Sequence, residues 1–402
     1  MTTTAFADAE LAPRDPILGL NEAFAADPRP TKVNLGVGVY CNEDGKIPVL
    51  RAVRAAEQAR LASALPRGYL PIDGLPDYDA AVQRLLLGGD SRLMGAGRVI
   101  TAQALGGTGA LKIGADLMKR LAPNSKVLIS DPSWENHRAL FEAAGFAVET
   151  YAYYDVRTHG LDFDAMIRSL EGAAAGTIVV LHACCHNPTG VDPSSAQWEQ
   201  IVATVRRREL VPFLDMAYQG FGDGIDADGL AVRLFANSDG PLLVSSSFSK
   251  SFSLYGERVG ALTIVTANKD ESTRVLSQLK RVIRSNYSNP PTHGGSVVAA
   301  VLNDAELRAT WEQELGEMRE RIKRLRGQLV DGLRTRGVKR DFSFVATQRG
   351  MFSYSGLTAA QVNRLRDEFG IYAVGTGRIC VAALNSRNIN AVCDAIATVL
   401  RE

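Results

Sequence analysis

The sequence predicts an α/β fold in which a mostly parallel sheet is covered by helices on both faces. Short apolar runs alternate with helical patterns over residues 100–270, the signature of strands joined by crossover helices. Chemistry-bearing residues recur at the predicted carboxyl ends of those strands, where open α/β sheets place their sites. The chain has 402 residues, enough for about two domains, with 46% hydrophobic and 22% charged residues.

Basic and acidic residues nearly cancel, 45 against 44, so no bulk attraction to nucleic acid or membrane is implied. The five cysteines, Cys41, Cys184, Cys185, Cys380 and Cys393, form no CxxC pair, so neither a metal site nor a disulfide framework is signalled. Free thiols and an N-terminus unlike a signal peptide suit a cytoplasmic protein.

Residues 1–14 read as a loose N-terminal arm. Asp15-Pro16 opens a short helical pattern with Ile17, Leu18, Leu20 and Phe24. Lys32–Tyr40 is strand-like, but its two glycines point either to a bulge or to close approach of another group. An Ala-rich helix follows at 49–64, then a loop, Gly68–Gly74, with an exposed-looking Tyr69.

Gly106, Gly107, Thr108 and Gly109 turn into a helix with the apolar stripe Leu111, Ala115, Met118 and Leu121. Free N–H groups and the helix dipole favour an anion there. The turn is neither GxGxxG nor a P-loop, which favours a small phosphate ester over a nucleotide; a cap without ligand is the alternative. Strands are predicted at Val127–Ser130, 177–185 and Val211–Tyr218. Trp134 follows the first, either stacking on a flat ring or packing in the core. Asn187 follows the second, presented by the turn His186-Asn187-Pro188-Thr189-Gly190. The third carries Asp215, a carboxylate in apolar company that needs a partner, either a pyridinium or a structural arginine. Tyr218 reaches the same region.

Leu242–Gly260 is the strongest stretch. An apolar run ends in Ser245, Ser246 and Ser247, then Lys250, with Arg258 eight residues on. A lysine held at a strand end has its pKa lowered by desolvation and nearby cations. A neutral amine forms a Schiff base with a carbonyl. Serine hydroxyls and an arginine suit a phosphate monoester. Together they read as a seat for pyridoxal phosphate; a surface lysine at a strand end is the alternative. Further on come a strand at 261–266, a helix at about 267–286 stopped by Pro290-Pro291, and a long charged helix at about 304–336 that bridges two domains. The remainder is a smaller α/β unit, with strands near 342–355 and 371–384 and helices near 358–369 and from about 388. Arg378 is either a surface residue or aimed at a carboxylate.

The motifs VNLGVGVY, YLPIDGL, LGGTGALK, SDPSWENH, HACCHNPTG, FLDMAYQGF, SSSFSKSFSLYGERVG, NYSNPP and RGMFSYSGL span nearly the whole chain. They resemble the class I aminotransferases of the fold-type I pyridoxal phosphate family, in particular the aromatic amino acid (tyrosine) and aspartate enzymes. The resemblance implies a seven-stranded sheet in a large cofactor-binding domain at 49–310. It implies a small domain built from both chain ends, 15–48 and 311–402. Lys250 becomes the Schiff-base lysine and proton shuttle, Asp215 the partner of the ring nitrogen, and Tyr218 and Asn187 the partners of the phenolic oxygen. Trp134 stacks on the ring, with His137 and His182 near it and Asp215. Gly107, Thr108, Ser247 and Arg258 hold the phosphate, joined by Tyr69 from a neighbouring subunit. Arg378, Asn187, Trp134 and the Gly38 backbone bind the substrate α-carboxylate. Arg284, also from the neighbour, meets a distal carboxylate. A homodimer sharing its sites is thereby implied, moving amino groups between aromatic amino acids or aspartate and 2-oxoglutarate. A dedicated aspartate enzyme is the nearest alternative. A non-catalytic regulator that keeps the cofactor, and another reaction on the same cofactor, are remoter ones.

Overall fold

The computed structural model describes residues 4–12, 15 and 17–401. Pro16 and parts of the expected N-terminal arm lie outside them. Among the described residues there are thirteen strands: β1 Val33–Asn34, β2 Val99–Leu105, β3 Val127–Asp131, β4 Val148–Ala152, β5 Tyr154–Asp155, β6 Gly160–Leu161, β7 Ile178–His182, β8 Val211–Met216, β9 Leu242–Ser247, β10 Val259–Val265, β11 Phe352–Tyr354, β12 Ile371–Tyr372 and β13 Arg378–Cys380. Seven of them form the main sheet, in the order β2-β10-β9-β8-β7-β3-β4. Only β10 runs antiparallel to its neighbours, so the sheet is mostly parallel as expected.

Alternation along each strand builds a core on both faces. Phe213, Leu243 and Leu262 pack with Leu111, Ile113 and Leu117 of the helix Gly106–Leu121. Their neighbours Leu214, Val244 and Ala261 belong to the opposite core, which also takes Trp311, Leu315 and Met318. Those three lie on the helix Ala305–Thr335, whose buried stripe continues through Ile322, Leu325, Leu329 and Leu333. Asp304 starts that helix by accepting the Glu306 and Leu307 N–H groups, both at 2.9 Å. The preceding helix, Thr292–Asn303, ends immediately before it.

Three expectations are corrected. Lys32–Tyr40 is strand only at Val33–Asn34, which pairs in parallel with Ile371–Tyr372 and so joins the two ends of the chain. Beyond it Gly36 and Gly38 are needed for close approach: a Cβ on Gly38 would sit 2.6 Å from Phe352 Cζ. Residues 342–355 begin not as strand but as a short helix, Ser343–Thr347, before β11. Asp341 starts it, accepting the Ser343 N–H at 2.7 Å and its hydroxyl at 2.8 Å. The region 371–384 likewise divides into β12, β13 and a 3-10 turn at Val381–Ala383.

Two sheet strands, β2 and β4, went unsignalled in the sequence for physical reasons. β2 carries Thr101 and Gln103 in its buried run; Thr101 bonds Thr263 at 2.9 Å and Gln103 donates to the Pro291 carbonyl at 2.8 Å. β4 lies at the sheet edge with Glu149 and Thr150 exposed. Among the described residues no helix is long and apolar enough to cross a membrane.

The helix Arg51–Ser63 has no side-chain cap of its own, since Leu50 stands at its N-cap. Glu314, from the long helix, accepts the Arg51 N–H at 2.7 Å and the Ala52 N–H at 3.1 Å. A carboxylate there satisfies orphan donors and complements the helix dipole. Glu314→Ala is expected to cost about 1–2 kcal/mol. A lower urea midpoint with unchanged slope, and faster amide exchange in the first turn of that helix, check this.

Candidate active site

A cleft of about 610 Å³ opens at the carboxyl ends of the central strands. Its lining includes Gly38, Gly107, Thr108, Trp134, His182, Asn187, Asp215, Tyr218, Ser247, Lys250, Arg258 and Arg378. The strand ends singled out in the sequence therefore converge on one space.

Lys250 stands three residues beyond β9, in a turn whose neighbour Phe248 enters the core. Its side chain is half-buried toward the cleft, with Nζ 4.8 Å from the centre of the Tyr218 ring. Burial pulls its pKa down to about 8, opposed by Asp215 and assisted by the charges of Arg258 and Arg378.

Asp215 lies on β8, opposite His182 on β7 and Ser245 on β9. Its partner is a histidine, not the arginine considered above: His137 Nε2 lies 3.0 Å from Asp215 Oδ2. His137 comes from the helix Glu135–Ala143, and its Nδ1 is fixed by the Ser133 hydroxyl at 2.9 Å. Burial pushes the Asp215 carboxyl up, but the His137 hydrogen bond and nearby positive charge outweigh it, and the pKa falls below the usual value. His182 is buried, with neither ring nitrogen hydrogen-bonded among the described residues. Burial, first of all, drives its pKa well below that of free histidine. A nitrogen of each histidine and an Asp215 oxygen lie within 4.8 Å of one another, spacing that would admit a metal ion. Lys250, Arg258 and Arg378 around the same cleft disfavour a further cation.

Facing Lys250 is an anion cradle. Gly106, with φ +69, turns β2 into the helix Gly106–Leu121. That φ favours glycine, and a Cβ there would also lie 2.6 Å from Arg258 Nη2 and push the guanidinium aside. The Gly106 N–H donates to the Arg258 carbonyl at 2.9 Å, and the Ser245 hydroxyl to the Gly107 carbonyl at 3.0 Å. The exposed Arg258 guanidinium is aimed by bonds from Nη1 to the Tyr255 carbonyl at 2.9 Å and the Ser249 hydroxyl at 3.3 Å. Ser247 and Ser249 hydroxyls bond each other at 3.2 Å. Helix N-terminus, hydroxyls and guanidinium together suit a phosphate ester.

Arg378 is buried and also lines the cleft. Nη1 donates to Asn187 Oδ1 at 3.2 Å, Nη2 to the Gly36 carbonyl at 2.6 Å, and Cζ lies 4.3 Å from the Phe352 ring centre. Its Nε has no partner, and no carboxylate pairs with it among the described residues. A buried guanidinium in that condition is costly unless a ligand anion completes it.

Trp134 is half-buried at the cleft wall, not in the core, with its ring 5.3 Å from that of His137. Tyr69 and Arg284 are not brought in. Tyr69 is 95% exposed, and Arg284 is exposed and donates to the Ser288 hydroxyl. Tyr255, Ser249 and Phe352 are site residues that the sequence reading did not single out. Tyr255 accepts the Tyr40 N–H at 2.9 Å, tying the cleft floor to the chain's N-terminal segment. Their only sequence signal is membership of SSSFSKSFSLYGERVG and RGMFSYSGL.

Comparison with known proteins is consistent along the whole chain. The family model "Aminotransferase class I and II" matches residues 30–396. An aspartate aminotransferase of Pseudomonas aeruginosa is 65% identical over 395 residues, 98% of this chain and 99% of that protein. An aromatic-amino-acid aminotransferase of Escherichia coli is 52% identical over 389 residues, 96% of this chain and 98% of that protein. The crystal structure of an aromatic-amino-acid aminotransferase from Burkholderia pseudomallei, covalently bound to pyridoxal phosphate, superposes with a TM-score of 0.97. It is 71% identical and covers 99% of this chain and 100% of its own.

In the cofactor-free protein, amine acylation at Lys250 is expected to follow a titration centred at about 8. Surface lysines should follow one near 10.4. Peptide mass spectrometry after brief labelling across a pH series checks the difference.

Proposed function

The chain belongs to the class I and II aminotransferases and uses pyridoxal phosphate, and from that premise we propose a broad enzyme that takes aromatic amino acids and aspartate. It passes the amino group to 2-oxoglutarate in two half-reactions. The observation that carries this reading is Lys250: an amine with a pKa of about 8, in a cleft that also holds a low-pKa carboxylate and an anion cradle.

The residues fit the cofactor. The cradle that a Cβ on Gly106 would fill matches its phosphate, with Gly107, Thr108, Ser247 and Arg258 as holders and Ser249 in support. Asp215, kept ionised and aimed by His137, suits a protonated ring nitrogen. Tyr218 and Asn187 also line the cleft and would meet the phenolic oxygen, and Trp134 would offer a stacking face. Lys250 would hold the aldehyde carbon until the substrate amine takes its place, which would free Nζ as a base. Bound there, pyridoxal phosphate supplies the electron-poor ring that stabilises charge at the substrate α-carbon.

The chain's own contribution is positioning and proton transfer. Arg378, with its unpartnered Nε and its bond to Asn187, receives the α-carboxylate beside the Gly38 backbone. Two-point contact turns the α C–H bond toward Lys250. Lys250 Nζ, substantially neutral near pH 8, accepts that proton and later gives it back. The apolar wall of Val37, Val39, Leu111, Trp134 and Phe352 leaves room for an aromatic side chain. Near relatives bearing aspartate and aromatic names support the breadth.

We assign Tyr69 and Arg284 to the active site of a second subunit in a homodimer. Both are exposed and outside their own cleft, and Val49, Leu61, Leu65 and Tyr69 leave apolar surface open to a partner. A large domain at 49–310 and a small one from 15–48 and 311–402 suit the pairing of β1 with β12. Five free cysteines suit the cytoplasm.

Lys250→Ala is expected to lose at least about 10³-fold in turnover while the cradle still retains added cofactor through dialysis. Arg378→Ala is expected to raise KM for amino acids about 50-fold, equivalent to roughly 2–3 kcal/mol for a charged hydrogen-bond pair. Steady-state kinetics with L-aspartate and L-tyrosine check both.

A further inference from the structure

The β5–β6 hairpin leaves the sheet after β4 and packs on residues 340–356. His159 sits in its turn with φ +55, a left-handed conformation that histidine tolerates better than most residues. Its ring stacks on Phe344, with centres 3.9 Å apart and planes at 16°. Nδ1 is 3.0 Å from the Tyr154 hydroxyl, and Nε2 is 3.3 Å from Arg340 Nη2. Arginine only donates, so Nε2 must accept and the ring proton sits on Nδ1, donating to Tyr154. Arg340 also donates to the Gly356 carbonyl at 2.9 Å and covers the Phe342 ring.

These contacts lead to the active-site arginine in two short steps. Tyr154 meets Tyr354 edge-on at 5.3 Å. Tyr354 is the cross-strand partner of Arg378 in the β11–β13 pair, and Phe352, two residues earlier, lies against the Arg378 guanidinium. We propose that His159 is a positioning residue for Arg378: its neutral ring docks the β5–β6 hairpin on the strand paired with Arg378, and protonation undocks it. The proposal rests on the reading of Arg378 as the seat of the substrate α-carboxylate.

Protonation places a second N–H on the ring at Nε2, facing the donors of Arg340. An accepted hydrogen bond is thereby replaced by a contact between like charges. A cavity of about 520 Å³ beside the ring, lined by Arg157, Thr158, Ser343 and Thr347 among others, gives solvent access. Every charged group facing the ring enters the balance. Arg340 opposes protonation, while Asp155 on β5 and Asp341 ahead of Ser343–Thr347 favour it. Arg157 is occupied with Asp155 at 3.3 Å, and burial raises the pKa values of Tyr154 and Tyr354 so that both stay neutral. Burial first, then Arg340, hold His159 below 6.5. A base whose pKa is lowered by docking favours the docked form above pH 6.5 and loses it as pH falls through the lowered value.

The test is kcat and KM for L-aspartate across the acid range in the holoenzyme, with His159→Asn, Arg340→Gln and Arg378→Ala alongside. Asparagine tolerates the left-handed turn but does not titrate. In the wild type KM is expected to rise about fivefold as the pH drops from neutral to about 5, on top of the fall in kcat that protonation of Lys250 brings to the wild type and the His159 and Arg340 variants alike. His159→Asn should show the raised KM already at neutral pH and no further acid rise. Arg340→Gln, which removes the opposing charge, should flatten the rise, and it carries the test alone if His159→Asn does not fold. A His159→Asn or Arg340→Gln profile that superimposes on the wild type overturns the proposal. Should Arg378→Ala leave KM unchanged, the carboxylate reading itself has failed; a raised KM there with wild-type behaviour in the other two variants sinks the positioning role alone.

Discussion

The active site depends on one electrostatic arrangement: a desolvated lysine amine facing a buried carboxylate that stays ionised. Each group alone would be expensive, since burial drives Lys250 toward the neutral amine and Asp215 toward the neutral acid. The outcomes differ because their surroundings differ. Asp215 is rescued by the His137 hydrogen bond, itself anchored by Ser133. Lys250 has no such bond among the described residues; Asp215 opposes the effect of burial, and Arg258 and Arg378 add to it. Both pKa values are thus lowered, for different reasons, and one cleft holds an amine that titrates near neutrality beside a carboxylate that stays ionised, the kind of perturbed pair that points to a functional site.

The fold supplies the distances. Parallel strands ending at one level put Asp215, Ser247 and, a few residues on, Asn187 and Lys250 around the same space. The cradle and the buried arginine come from different parts of the chain. Gly106 and Arg258 meet because β2 and β10 are neighbours in antiparallel register. Arg378 reaches the cleft because β13 pairs with β11, whose Phe352 lies against the guanidinium, while Nη2 donates to the Gly36 carbonyl. Arg258 and Arg378 thus line one cleft, both near enough to Lys250 to act on its amine, a charge arrangement suited to a ligand that carries two anionic groups.

Much of this was legible in the sequence because its signals are local. A lysine after a run of serines, an aspartate inside an apolar strand and a glycine turn into a helix each carry their chemistry within a few residues. Contacts between distant segments were not legible. Arg340 meets His159 across 181 residues, and His137, 78 residues from Asp215, was placed near it by the family resemblance alone and not by any local signal. The short strands of the C-terminal unit were blurred for a similar reason. Each pairs over only two or three residues, so the helix Ser343–Thr347 and the 3-10 turn at Val381–Ala383 sit inside apolar runs that read as longer strands. Gly38 was ambiguous until Phe352 appeared opposite it.

The most direct test of the central claim is a half-reaction titration. Purified holoenzyme would be mixed with L-tyrosine, and separately with L-aspartate, without an oxo-acid acceptor, while the visible cofactor band is followed. Loss of the band with both amino acids at comparable concentrations is the predicted result. A band unmoved by either, or no band even after added pyridoxal phosphate, would contradict the account; loss with aspartate alone would contradict its claim of an aromatic substrate.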